Sequence, residues 1–214
     1  MTASSSRFPA KAALTLSALA LMAACGGTGV PVSSVPTIPN PAQPGTRLSL
    51  NEIQTIQRNL GPAYSAAAQT PKSQVPVSGG ATYRGYVAGD FTVPGRSTDV
   101  AGVMQMGVDF GANRVGGTVG NFVTANGAPI DGVLSLRNGR IDRSRTYATI
   151  LSDVGGTLTT SAGETVRVDG SVTRGGFKGA NGQYAGVPMN GGLLIDDGRT
   201  VQSGTFGLTG VLSR

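Results

Sequence analysis

From about residue 80 to residue 214, apolar and polar positions alternate in short runs broken by Gly, Asn and Asp. The runs that read as strands are 81–91, 99–110, 114–123, 130–137, 140–151, 156–160, 165–177, 184–195 and 200–212. Some of these merge or shorten, so the expectation is eight or nine strands. No segment of helical period intervenes, which favours antiparallel hairpins. The fold class that follows is all-β: a small soluble antiparallel eight- or nine-stranded β-barrel.

The register of two hairpins can be tested on paper. With a two-residue turn at Asp197-Gly198, Met189 faces Phe206, Val187 faces Leu208, Gly191 meets Gly204 and Leu193 meets Gln202. The opposite face pairs Asn190 with Thr205 and Gly192 with Ser203, with Leu194 and Val201 as its apolar exception. Strand side chains alternate strictly, so a one-residue slip would invert this sorting into one oily and one wet face. In 99–110, Val100, Met104, Met106, Val108 and Phe110 share a face, with Gln105 and Asp109 opposite. A turn at Asn138-Gly139 sorts less well. It sets Leu136 against Ile141, but Leu134 against Arg143 and Gly132 against Arg145. Either a bulge resets the register near 143–145, or these arginines line a barrel mouth or meet inner carboxylates.

Ahead of the strands, Ser49-Leu50-Asn51-Glu52 has the form of a capping box. Ile53, Ile56 and Leu60 follow at helical spacing, and Gly61 is placed to end the helix. A short amphipathic helix over 50–60 is expected, packed on the barrel or closing one end of it. Residues 26–47 hold five prolines and one charge, Arg47, which predicts a disordered, extended tether. Residues 12–24, AALTLSALALMAA, form an uncharged apolar run after a basic start. That length suits a secretory signal and is too short for a spanning helix, which needs roughly 20 apolar residues. The expected organisation is a signal peptide at 1–24, a tether at 25–47, a helix and connector at 48–79, and a barrel at 80–214.

Composition narrows the chemistry. The chain has no histidine, one cysteine and no tryptophan. Ser-His-Asp and Cys-His catalysis, an intrachain disulfide and a CxxC metal site are therefore excluded. No cofactor is implied; haem would need Tyr, Met or the cysteine as axial ligand. The net charge is +6, of which Arg7 and Lys11 would leave with the signal peptide. The 34 glycines follow no Gly-X-Y period and suit tight turns and bends in β-structure.

Two resemblances bear on address and family. Leu21-Met22-Ala23-Ala24-Cys25 resembles the lipobox of bacterial lipoproteins, with Met22 where leucine is usual. That resemblance implies diacylglycerol on the Cys25 thiol, cleavage before it and acylation of the new amine. Gly26, rather than aspartate, at the next position favours the outer membrane by the same resemblance. Val108-Asp109-Phe110-Gly111-Ala112, Gly116-Gly117-Thr118-Val119 and Gly176-Phe177-Lys178-Gly179-Ala180 resemble the barrel domain of transferrin-binding protein B, and factor H-binding protein has a similar barrel. These are surface lipoproteins of Gram-negative bacteria with eight-stranded barrels. The resemblance covers roughly 80–214. The chain has room for one barrel and no full handle domain, so transferrin binding is not implied and no ligand-contact residue carries over.

The expected function is a non-enzymatic binding module for a protein or small ligand, anchored to the outer membrane by lipid on Cys25, with no nucleic-acid partner. The candidate partner patch is Arg137, Arg140, Arg143 and Arg145, four arginines in nine residues. A structural envelope lipoprotein is the alternative reading. An integral outer-membrane barrel is a weaker one, because it needs an apolar outer band and aromatic girdles. Adjacent Asp196 and Asp197 sit at a turn, where they serve the turn better than acid–base chemistry.

Overall fold

The computed structural model describes residues 38–41 and 47–214. The expected signal peptide, the lipobox, Cys25 and most of the tether lie outside the described residues. Eight strands follow one another: β1 Gly80–Val93, β2 Arg96–Asp109, β3 Arg114–Thr124, β4 Pro129–Asp142, β5 Thr149–Thr160, β6 Thr165–Lys178, β7 Tyr184–Asp196 and β8 Val201–Ser213. Each pairs antiparallel with the next. β8 returns to β1, with Phe91 opposite Phe206, and the sheet closes into a barrel. Closure satisfies the backbone of every strand and removes the free edges that invite aggregation.

Alternation decides which side chains fill the barrel. Tyr83, Val87 and Phe91 of β1 point inward, as do Met104 and Met106 of β2, and all five are buried. Phe110 and Phe177 stack at 6.0 Å near one end, and Phe91 and Phe122 at 6.2 Å nearer the other. The interior is a continuous apolar core. At positions such as Gly89, a side chain would overlap the Gly207 carbonyl of the neighbouring strand. Only glycine lets β8 come this close as the sheet bends round to close.

The structure corrects two sequence expectations here. Asn138-Gly139 is not a turn. β4 runs through it to Asp142, so the nine candidate runs become eight strands. A two-residue type I′ turn needs positive φ at both central residues. Asn138 has φ 53°, but Gly139 is not among the positive-φ glycines. The left-handed asparagine instead makes a bulge, shifting the register between Arg137 and Arg140. The bulge thus lies before 143–145, and Arg143 and Arg145 sit in the loop after β4. The last hairpin keeps its faces but slips by two residues, so that Met189 pairs with Leu208 and Gly191 with Phe206. Asp197 is the cause: its carboxylate accepts from the backbone N–H of Arg199 (2.8 Å) and Thr200 (2.7 Å), which stretches the turn to four residues. A two-residue slip preserves the pleat, so Val187, Met189, Leu193, Phe206 and Leu208 remain inside.

The helix, α1, spans Leu50–Ala66, longer than expected. Its start is the capping box: the Ser49 hydroxyl accepts from Glu52 N–H, and the Glu52 carboxylate accepts from Ser49 N–H at 2.8 Å. Its end is not Gly61. The helix passes through Gly61-Pro62 because tertiary contacts hold the last turn. Lys178 Nζ donates to the Tyr64 carbonyl at 3.1 Å and lies 4.5 Å from the centre of the Tyr64 ring. The Tyr64 hydroxyl rests against Gly186, where any side chain would collide with it. The helix lies on the barrel's outer wall. Buried Ile53 and Ile56 cover Tyr86, Val103, Val123 and Val211, which point outward from the sheet. Burying each isoleucine is worth about 2 kcal/mol. At the edge of this layer, Pro41 is buried against Gly120 and Ile38 packs nearby. Residues 38–41 therefore belong to the packed domain.

What closes the barrel is the connector after α1. It crosses the end where the β2–β3, β4–β5 and β6–β7 loops meet. Val75 is buried in the barrel core, Thr70 N–H donates to the Phe177 carbonyl at 2.9 Å, and Lys72 N–H donates to the Thr146 carbonyl at 3.0 Å. Tyr83, deep in the same end, donates its hydroxyl to the Gly182 carbonyl, and burial pushes its pKa up to about 12. Among the described residues no connector crosses the opposite end. There Arg96, at the start of β2, pairs with Glu164, in the β5–β6 turn, at 3.1 Å across the mouth.

Candidate functional site

The four arginines singled out from sequence differ in their surroundings. Arg137, Arg140 and Arg145 are exposed, but Arg143 is half-buried and structurally engaged. Its Nε donates to Asn113 Oδ1 at 2.8 Å, and its terminal nitrogens donate to the Val75 and Pro76 carbonyls at 3.2 and 2.5 Å. One guanidinium thus ties the connector to the β2–β3 and β4–β5 loops. Carbonyl groups left bare at such a junction would be costly, and a fixed fork of donors suits several acceptors at once.

The fold supplies an arginine that sequence spacing did not. Arg114 opens β3 directly opposite Arg140 on β4, and both are exposed. Like charges set across a strand pair are unfavourable. Asp109 faces Arg114 across the β2–β3 turn, but its carboxylate caps Ala112 N–H at 2.9 Å. Asp142 is held below the usual carboxylate range by hydrogen bonds from Ser144, with smaller help from Arg140 and Arg145. No motif could have revealed the Arg114–Arg140 pair, since the two lie 26 positions apart and only β3–β4 pairing brings them together. Arg137 lies over Gly155 on β5, where a side chain would meet its guanidinium. Its strand partner Asp153 accepts instead from Asn138 Nδ2 at 2.8 Å.

Beside Arg114 runs an open groove of about 580 Å³ whose floor includes Gly80, Gly107 and Gly116, with Thr82 and Asp109 at its sides. At the barrel's other end a depression of about 210 Å³ lies between Pro94, Arg96, Glu164 and Gln202. Asp196 and Asp197 form the neighbouring turn. Asp197 is held below its ordinary pKa by the backbone hydrogen bonds of Thr200 and Arg199. Among the described residues no cluster of Cys, Asp or Glu is arranged to hold a metal ion.

These features define a class: a closed eight-stranded antiparallel barrel with an oily interior, a polar wall and a helix strapped to its side. Similar solved structures include two mutant forms of the vaccine antigen Transferrin Binding Protein B (TbpB) from Haemophilus parasuis Hp5. One is 19% identical, with a TM-score of 0.40 over 68% of this chain and 29% of that chain. The other is 15% identical, with a TM-score of 0.41 over 68% of this chain and 28% of that chain. Intact Ap-TbpB, with its N and C lobes, is 14% identical, with a TM-score of 0.40 over 67% of this chain and 28% of that chain. The chain spans less than a third of the length of these proteins, and the likeness is one of fold. No protein-family model matches the chain, and no curated protein matches it.

Proposed function

We propose that this chain is an outer-membrane lipoprotein whose barrel is a non-enzymatic module for binding a protein or small ligand through its exterior. The observation that carries this reading is the filled barrel. Its interior is occupied by buried side chains such as Met104, Met106, Phe122, Leu134 and Phe177, so binding falls to the wall and the loops. The wall is suited to water. Its mid-strand positions include Asp153, Thr157, Arg167, Asp169, Ser171 and Asn190, in place of the apolar band an integral barrel needs. The lipobox pattern ending at Cys25 supports the anchor, since two or three acyl chains give stable attachment.

Two measurements test the reading. The mass of the mature protein from a Gram-negative host should correspond to a chain that begins at Cys25 and carries acyl chains. Cys25→Ser should lose acylation and leave the membrane fraction. Cross-linking on intact cells should capture a discrete partner on the wall or the loops of the barrel. A soluble, unacylated mature protein would overturn the anchor. Failure to capture any discrete partner would overturn the binding module.

A further inference from the structure

The charged residues of the barrel are sorted along its axis. With each strand divided at its midpoint, the connector-end half and its loops carry ten Lys and Arg side chains and three carboxylates, Asp109, Asp142 and Asp153. The mouth half carries four arginines and seven carboxylates. The helix adds one charge of each sign, Glu52 and Arg58. A mature charge near +4 therefore hides an end near +7 and an end near −3.

The pairing is equally one-sided. Among the described residues the two ion pairs, Arg47–Asp131 and Arg96–Glu164, both lie toward the mouth. At the connector end the cations that are engaged donate to neutral groups: Arg84 to Gln105, Lys72 to the Arg143 carbonyl and Lys178 to the Tyr64 carbonyl. The exposed cations toward that end include Arg84 on β1, Arg114 on β3, Arg137 and Arg140 on β4, Arg145 in the β4–β5 loop and Arg174 on β6. Guanidinium groups spread over several strands around a plugged end, outnumbering the carboxylates among them, match a broad sheet of anions better than one small ligand in a pocket.

We propose that this cationic end docks on the anionic phospholipid headgroups of the membrane that carries the chain, leaving the acidic mouth facing away from the lipid. The inference rests on the lipid anchor proposed above, which holds the chain at the membrane and leaves charge to set its orientation there. Reach does not choose the orientation. From Cys25 to Ile38, an extended chain spans at most about 45 Å. Fourteen-residue strands tilted as in a barrel rise roughly 35 Å. Either end is within reach of the surface, so the charge sorting decides which one meets it.

The test uses the full-length protein, recovered from host membranes and placed on vesicles of phosphatidylcholine alone or with roughly a third phosphatidylglycerol. Energy transfer to a bilayer dye is read from a label at Ser144→Cys, in the β4–β5 loop, or at Ser161→Cys, in the β5–β6 turn. On anionic vesicles the Ser144 label should lie closer to the bilayer than the Ser161 label. The difference should vanish on neutral vesicles, in molar salt, and in a variant carrying Arg114→Glu, Arg140→Glu and Arg145→Glu. In that variant, transfer from the Ser144 label should return to the level seen on neutral vesicles. Because the three side chains are exposed, an unchanged melting temperature checks that the variant folds. Equal transfer from the two labels on anionic vesicles overturns the proposal. So does a difference that ignores lipid charge, or a cationic end that stays off the bilayer while binding an acidic protein. Acylation is read separately by mass. If Cys25 proves unmodified, the anchor falls, and co-flotation of the same labelled protein with the two vesicle types still decides the fate of the cationic end.

Discussion

The two ends of the barrel solve the same problem differently. At one end a connector seals the core with Val75 and is held by the Arg143 fork and the Thr70 and Lys72 backbone hydrogen bonds. At the other, the turns meet over the mouth and a single ion pair, Arg96–Glu164, spans it, with the arginine side chain 47% exposed. The sealed end draws its stability from burial and from hydrogen bonds to groups that water cannot serve. The mouth relies on a contact that solvent and salt weaken. The sealed end carries an excess of cations, whereas both ion pairs found among the described residues lie toward the mouth.

Four changes probe this contrast. Arg143→Ala should destabilise the most, by about 3 kcal/mol, because it strands the Val75 and Pro76 carbonyls and frees the connector. Urea unfolding should show the loss, and amide exchange at 70–76 should accelerate first. Val75→Ala removes two methyl groups from the core at the same end and should cost about 2 kcal/mol by the same unfolding measurement. Tyr83→Phe should cost about 1 kcal/mol near neutrality through its lost hydrogen bond to Gly182. It should also remove a pH dependence. The folded pKa of Tyr83, about 12, lies above the ordinary value of 10, so its contribution is complete below pH 10 and is lost as pH rises toward 12. Unfolding midpoints of the wild type should fall over that window, and those of the variant should fall less. Arg96→Ala, at the mouth, should change stability by no more than about 0.5 kcal/mol. If it costs as much as Arg143→Ala, the two ends are not built on different principles.

Much of the sealed end was hard to read from sequence. Alternation in 99–110 and 184–195 announced which side chains would be inside, because a half-buried strand writes its faces directly into the chain. The capping box at Ser49 announced the start of α1 for a similar local reason. The stop expected at Gly61 does not occur, since Tyr64 and Lys178 restrain the final turn from more than a hundred residues apart. Asn138-Gly139 misled because a left-handed asparagine serves a bulge as readily as a hairpin. Val75 sits between Gln74 and Pro76 in a stretch with no period, so nothing local marked it as a plug. Four clustered arginines looked equivalent, and only the fold separates Arg143 from the exposed three and brings Arg114 beside Arg140.

The seam between β1 and β8 has a consequence for how the chain reaches this state. Arg84 lies beside Ser213 and Thr92 beside Thr205, so the contacts that close the barrel join segments more than a hundred residues apart. Pairings this distant in sequence slow folding. Until β8 arrives, β1 and β7 each offer a bare row of backbone donors and acceptors to any passing strand. The polypeptide is thus most vulnerable to self-association just before completion, and loss of β8 alone would leave a sticky seven-stranded curl.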